Sequence, residues 1–182
     1  MKQRSYLKGQ IIRAWLQTIE RDYNYGRINS ERSLQASLWA SLNDLLPRNR
    51  NLFIEPFLNA GEKLVCPDIV ITNSREVVAV IELKYLPRAQ PKYEKDVATL
   101  AFIAQQRIEL QLYHRRHRGV RKDYPRYRMA KHILFVWAGV HKPELLQSEF
   151  LYADGRPELD GCFMELHAET QSNGLPNIYQ RY

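Results

Sequence analysis

Asp68, Glu82 and Lys84 are ionisable residues set in two otherwise apolar, strand-like stretches, "PDIVIT" (67–72) and "VVAVIELKY" (77–85). Residues two apart on a strand share a face, so Glu82 and Lys84 point the same way. Asp68 joins them only by pairing opposite Glu82, because directly opposed residues on antiparallel strands have Cβ atoms about 5 Å apart. Opposed residues in a hairpin have a constant sum of numbers, which for this pair is 150. That register demands an odd loop such as Ser74-Arg75-Glu76, or a bulge. An even loop sets Asp68 opposite Ile81 and turns it to the other face.

Convergence of the three has chemical consequences. Two carboxylates about 5 Å apart in a partly buried site repel, and one takes up a proton unless a cation intervenes. Mg²⁺, with Mn²⁺ able to take its place, is the hard ion that suits one or two carboxylates, several waters and a phosphate oxygen. Such an ion lowers the pKa of a bound water and offsets charge on a phosphodiester in its transition state. Lys84 beside it would orient the attacking water or stabilise the pentacovalent phosphate. The plain alternative is a salt bridge of Lys84 with Glu82 or Asp68 at a strand end, although burying charged pairs rarely gains stability by itself.

The elements that must position these residues follow from periodicity. Ile12, Trp15, Leu16 and Ile19 predict a first amphipathic helix over about 4–22. Ser30 is a fitting N-cap for a second helix to about residue 46, with Leu34, Leu38, Leu42 and Leu45 as its buried stripe. Three strands follow, "LFIEPFL", "DIVIT" and "VVAVIELKY"; Pro56 confines the first to an edge or bulged position. The unbroken apolar run Val77 to Ile81 places the third strand centrally. A long helix is expected from about Tyr93 to Arg118, then a buried strand over 132–140 and a half-exposed one in "CFMELHAET". The order α-α-β-β-β-α-β-β predicts one α/β domain over 1–182 with a mixed β-sheet flanked by helices.

Pro67-Asp68 followed some fourteen residues on by Glu82-Leu83-Lys84 resembles the PD-(D/E)XK phosphodiesterase superfamily, the restriction-endonuclease-like nucleases. The resemblance implies metal ligation by Asp68 and Glu82, a further ligand in the Leu83 carbonyl, and a catalytic role for Lys84. It also implies a restriction-endonuclease-like core of order α-β-β-β-α-β, which the elements from residue 30 to 140 match. Many family members add an acid from the helix before the sheet, and Glu31 stands at that position as a third metal ligand. Glu31 shares the stripe of Gln35, Leu38 and Leu42, so it is expected to face the sheet; it also fits an ordinary first-turn acid stabilised by the helix dipole. Many such domains act as dimers, so a homodimer is compatible with the resemblance.

Charge location adds a partner. The chain has 27 Lys and Arg against 20 Asp and Glu, for a net charge of +7. Residues 114–132 carry eight of the basic residues (Arg115, Arg116, Arg118, Arg121, Lys122, Arg126, Arg128, Lys131) against Asp123 alone, and the rest of the chain balances at 19 of each sign. With Tyr124 and Tyr127 interleaved, the segment suits a nucleic acid, gripping phosphates and stacking bases. DNA is preferred over RNA because the resemblance points that way. His114 and His117 belong to the same patch, wedged among arginines that oppose a bound cation. His167 alternates with Glu165 and Glu169 and is expected on a solvated strand face, and Asp96 as an ordinary first-turn acid.

Other classes find no support. No apolar run approaches the roughly 20 residues of a membrane helix, and "MKQRSYLKGQII" lacks the apolar centre of a signal peptide. Cys66 and Cys162 lack CxxC spacing, which argues against structural zinc and fits a reduced, cytoplasmic setting. Neither a nucleotide-cradling glycine loop nor a serine-nucleophile motif occurs. The expected activity is therefore that of a Mg²⁺-dependent nuclease, a DNA endonuclease first; the alternative is a non-catalytic nucleic-acid-binding or accessory module that keeps the fold.

Overall fold

The computed structural model describes residues 2–60, 63–106, 110–112, 126–143, 150–172 and 174–182. Helix α1 (Lys2–Gln17) buries Leu7, Ile11, Ala14 and Trp15, the spacing of one helical face, and runs on through a wider π turn, Thr18–Tyr23. Gly26, at φ 71°, reverses the chain. Helix α2 (Glu31–Leu45) starts at Ser30, whose hydroxyl accepts the Ser33 N–H at 3.2 Å while the Ser33 hydroxyl accepts the Ser30 N–H at 3.0 Å. It buries Leu34, Leu38 and Leu42 completely, each contributing about 1.5–3 kcal/mol by removal from water.

The strands are β1 (Asn51–Ile54), β2 (Leu58–Ala60), β3 (Lys63–Val65), β4 (Ile69–Thr72) and β5 (Glu76–Leu86). Then come helix α3 (Glu94–Gln105), β6 (Leu110–Leu112), β7 (Arg126–His141), β8 (Phe163–Glu169) and β9 (Asn177–Arg181). Six of them form a mixed sheet in the order β1-β4-β5-β7-β8-β9, with β5, β7 and β8 parallel and the outer pairs antiparallel. Helices α1 and α2 cover one face through Ile69, Ile71, Ala79, Ile81 and Leu83. Helix α3 covers the other through Val70, Val80, Val97, Leu100 and Trp137. The expected α/β class and mixed sheet are thus present, and β5 is central.

Four expectations change. "LFIEPFL" is two strands, broken where Glu55 takes φ 44° ahead of Pro56; β1 is the sheet edge and β2 turns away to pair with β3 and β6. The long helix ends at Gln105, and Leu110–Leu112 is a strand joining β2 to the start of β7, where Leu110 and Gln111 pair with Tyr127 and Arg126. The strand expected over 132–140 begins earlier, at Arg126. Strand β8 is buried at all seven positions rather than half-exposed: Met164, Leu166 and Ala168 pack into the core shared with α1 and α2, while Trp137 and Tyr152 lie against His167 on the other face. Among the described residues no helix is long and apolar enough to cross a membrane.

Candidate active site at the end of β5

The register of β4 against β5 decides whether the charged residues meet. Thr72 pairs with Val77 across the turn 73–76, closed by Asn73, whose side-chain oxygen accepts the N–H groups of Arg75 (2.8 Å) and Glu76 (2.6 Å). That turn is even and alone would carry Asp68 opposite Ile81. A bulge between the Thr72–Val77 and Ile71–Ala79 pairs leaves Val78 over and shifts every later pair by one, so that Ile69 faces Ile81. Asp68 sits at a bend one residue beyond the Ile69–Ile81 pair; the shifted register brings it beside Glu82, and the two carboxyls interact, as the bulged alternative requires.

Contacts fix this geometry. The Leu83 N–H donates to Asp68 Oδ2 at 2.6 Å, holding the carboxylate against β5. The Asp68 carbonyl accepts from the Glu55 N–H (2.9 Å) and from the Gln35 side-chain amide (3.0 Å), so β1 and α2 clamp its backbone. Glu31, at the start of α2, reaches past the strand end. Its Oε2 accepts the Tyr85 N–H at 3.2 Å and lies 3.6 Å from Lys84 Nζ. It is solvent-exposed rather than packed under the sheet, yet its carboxylate joins the group. Asp96, in the first turn of α3, is buried, with Oδ2 3.2 Å from Lys84 Nζ. Expected as an ordinary first-turn acid, it faces inward at i, i+4 and i+7 with Leu100 and Ile103, a spacing legible in the sequence.

Charge is concentrated here and poorly solvated. Burial, then the Asp68 and Asp96 carboxylates, push the Glu82 carboxyl well above its ordinary value. Burial also raises Asp68, against the Leu83 N–H and Glu82 hydrogen bonds that lower it. Although burial pulls Lys84 down, Asp96 and Glu31 outweigh it and hold the ammonium above its ordinary pKa. Lys84 is a fixed cation, not a proton acceptor at neutral pH. Asp68 and Glu82 can coexist by sharing a proton on Glu82 or by sharing a divalent cation. Among the described residues no three His, Cys, Asp or Glu side chains form a ready metal cage. Mg²⁺ asks for less: one or two carboxylates, with water and substrate oxygens completing its shell. Two desolvated, mutually repelling carboxylates fit that demand.

The basic segment is divided. Arg115, Arg116, Arg118, Arg121 and Lys122, with His114 and His117, lie outside the described residues, as does the Arg126 side chain. Arg128 and Lys131 are exposed at the start of β7. Arg128 pairs with Glu76, six positions before Glu82 on β5 and so about 20 Å from the acids at about 3.3 Å per residue. Tyr127 is buried edge-on against Phe53, which removes it as a base-stacking surface.

Across β7 the same face continues into a second polar cluster. Glu82 pairs with Trp137 and Trp137 with Glu165; Lys84 pairs with Gly139 and Gly139 with His167. The Trp137 ring lies over Gly139, where a Cβ would come 2.3 Å from the indole. Gly139→Ala is therefore expected to cost about 1–3 kcal/mol, since the fully buried ring has nowhere to move. Thermal denaturation checks this, at about 2–4 °C per kcal/mol for a chain of this size.

Beyond the indole, His141 Nε2 meets His167 Nδ1 at 3.0 Å and His167 Nε2 meets Glu165 Oε2 at 3.0 Å, while Arg181 Nε donates to the same oxygen at 2.7 Å. The solvated face expected for Glu165, His167 and Glu169 is thus overturned: all three are buried, and their polar groups satisfy one another and β9.

Compared with protein-family models, curated proteins and solved structures, the chain gives no match.

Proposed function

We propose that the chain is a Mg²⁺-dependent nuclease of the PD-(D/E)XK, restriction-endonuclease-like kind, hydrolysing phosphodiester bonds of nucleic acid, with DNA the preferred substrate. One observation carries the reading: an even turn is corrected by a bulge that aligns Asp68 with Glu82, two residues before Lys84, on a face where apolar side chains would be cheaper. The order α2-β1-β4-β5-α3-β7, with β5 and β7 parallel neighbours, agrees with the core expected of that superfamily.

In this reading Asp68 and Glu82 hold the metal, with the Leu83 carbonyl and Glu31 as the further ligands the resemblance implies. Bound there, Mg²⁺ supplies charge neutralisation and a more acidic water. Lys84, kept charged by Asp96 and Glu31, orients the attacking water and stabilises the phosphate as negative charge builds on it. The basic residues of 114–132 grip the backbone. A strand contacted at both Arg128 and the acids would span about six nucleotides at about 3.4 Å each.

Incubation of the protein with single-stranded DNA, duplex DNA and RNA oligonucleotides in Mg²⁺ or Mn²⁺ tests the reading. Hydrolysis of DNA is expected. A protein that binds these strands and cuts none overturns the enzymatic reading and leaves the binding module. Binding should also weaken steeply with salt, log affinity falling by about 0.9 per phosphate contact for each decade of salt concentration.

A further inference from the structure

We infer that Asp96 is the positioning residue that holds the Lys84 ammonium at the scissile phosphate; the inference rests on the nuclease reading of the Asp68–Glu82–Lys84 site. A lysine side chain has about 2 kcal/mol of rotamer freedom, and a cation stabilises a transition state best when its position is fixed beforehand. Two acids face Lys84, and they are not equivalent. The Glu31 side chain is 46% exposed and also serves the Tyr85 N–H, whereas the Asp96 side chain is 11% exposed and 0.4 Å nearer, at 3.2 Å against 3.6 Å. Exposed ion pairs contribute little, so the buried partner sets where the ammonium rests.

Among the described residues, Lys84 and the Trp137 indole favour a charge on Asp96, in addition to its place in the first turn of α3. Its buried Oδ2 is held by charge rather than by a regular hydrogen bond. The Trp137 indole, on the same side, favours the ionised form, and that ring is fixed in turn by its seat over Gly139. Buried carboxylates cost stability, and among the described residues this one is offset by Lys84, by the Trp137 indole and by the N-terminus of α3. Asp96 thus belongs to α3 but serves β5, linking the helix position to the ammonium position.

The test combines kinetics with a readout that needs no cleavage. In single-turnover hydrolysis of duplex DNA with Mg²⁺, the near-isosteric Asp96→Asn is expected to slow the chemical step about 10- to 100-fold, as loss of a supporting contact typically does, with DNA affinity unchanged. Asp96→Glu should restore part of the rate. The Asp96→Asn/Lys84→Ala double variant should be no slower than Lys84→Ala alone, because the acid acts through the amine. Wild-type rates in Asp96→Asn, or losses that multiply in the double variant, overturn the proposal.

Nitrogen-15 spectra of the lysine ammonium groups read the clamp directly. The Lys84 signal should persist in wild type and Glu31→Gln, and be lost to water exchange in Asp96→Asn. An identical Lys84 signal in wild type and Asp96→Asn overturns the clamp. A wild type that cuts nothing while this contrast holds overturns the nuclease reading and leaves the clamp standing.

Discussion

Glu82→Gln is expected to make the protein more stable while silencing it. Glu82 is held well above its ordinary pKa of 4.5 by burial and by Asp68 and Asp96. A group with a raised folded pKa contributes stability that is complete below its unfolded value and lost as pH rises through the folded one. The amide loses nothing over that range, so the variant's advantage should grow as pH climbs above about 4.5. A gain of about 1 kcal/mol would raise the melting temperature by about 2–4 °C. Added Mg²⁺ should stabilise wild type, because a ligand that binds only the folded state shifts the equilibrium, and should leave Glu82→Gln where it was. Hydrolysis should fall below detection in Glu82→Gln, and by about 10²–10³-fold in Lys84→Ala, where a preorganised cation is removed but the carboxylate pair remains. Equal melting temperatures at every pH, or equal Mg²⁺ shifts, would remove the paired-carboxylate account.

The second large effect lies away from the site. Raising the pH from about 4.5 to about 7 should cost the protein stability through Glu165, and Glu165→Gln should remove that part of the loss. Burial lifts this carboxyl to about 7, against Arg181 and the Tyr152 N–H, which lower it. The hydrogen-bond chain gives the reason. His141 Nδ1 lies 2.7 Å from the Lys142 carbonyl, which only accepts, so that nitrogen carries a proton. His141 and His167 cannot both present lone pairs to each other at 3.0 Å, nor can His167 and an ionised Glu165 both lack a proton between them. With both imidazoles neutral and His141 donating from Nδ1, the His167–Glu165 contact is completed by a proton on Glu165. From 4.5 to about 7, at about 1.4 kcal/mol per pH unit, its loss amounts to about 3 kcal/mol. Denaturant melts from pH 4.5 to 8 check this: a wild-type slope that survives unchanged in Glu165→Gln removes Glu165 as its source. Mg²⁺ should not restore this part of the loss, which separates it from Glu82.

Sequence patterning reached the site further than it reached the surroundings. Asp68, Glu82 and Lys84 were legible because charges interrupt apolar strands, and parity turned their convergence into a choice between an odd loop and a bulge. Which of the two occurs was not legible, since the bulge at Val78 depends on how β7 pairs with β5 nearby, where the register also shifts. Asp96 carried a helical-face signal that its first-turn position masked. Glu165, His167 and Glu169 misled because period-two alternation of polar residues marks a wet face only when nothing covers it. Here Trp137, Tyr152 and β9 close over them. The end of α3 was hidden because "LQL" suits helix and strand equally, and its pairing partners at 58–59 and 126–127 are distant in the chain.

The most direct measurement is single-turnover cleavage of duplex DNA by wild type and Asp68→Ala across a Mg²⁺ titration, with DNA binding measured on the same samples. The account predicts hydrolysis by wild type that requires the metal and saturates with it, and none by Asp68→Ala despite retained binding. Metal-independent cleavage, or an Asp68→Ala variant that cuts as wild type does, would contradict it.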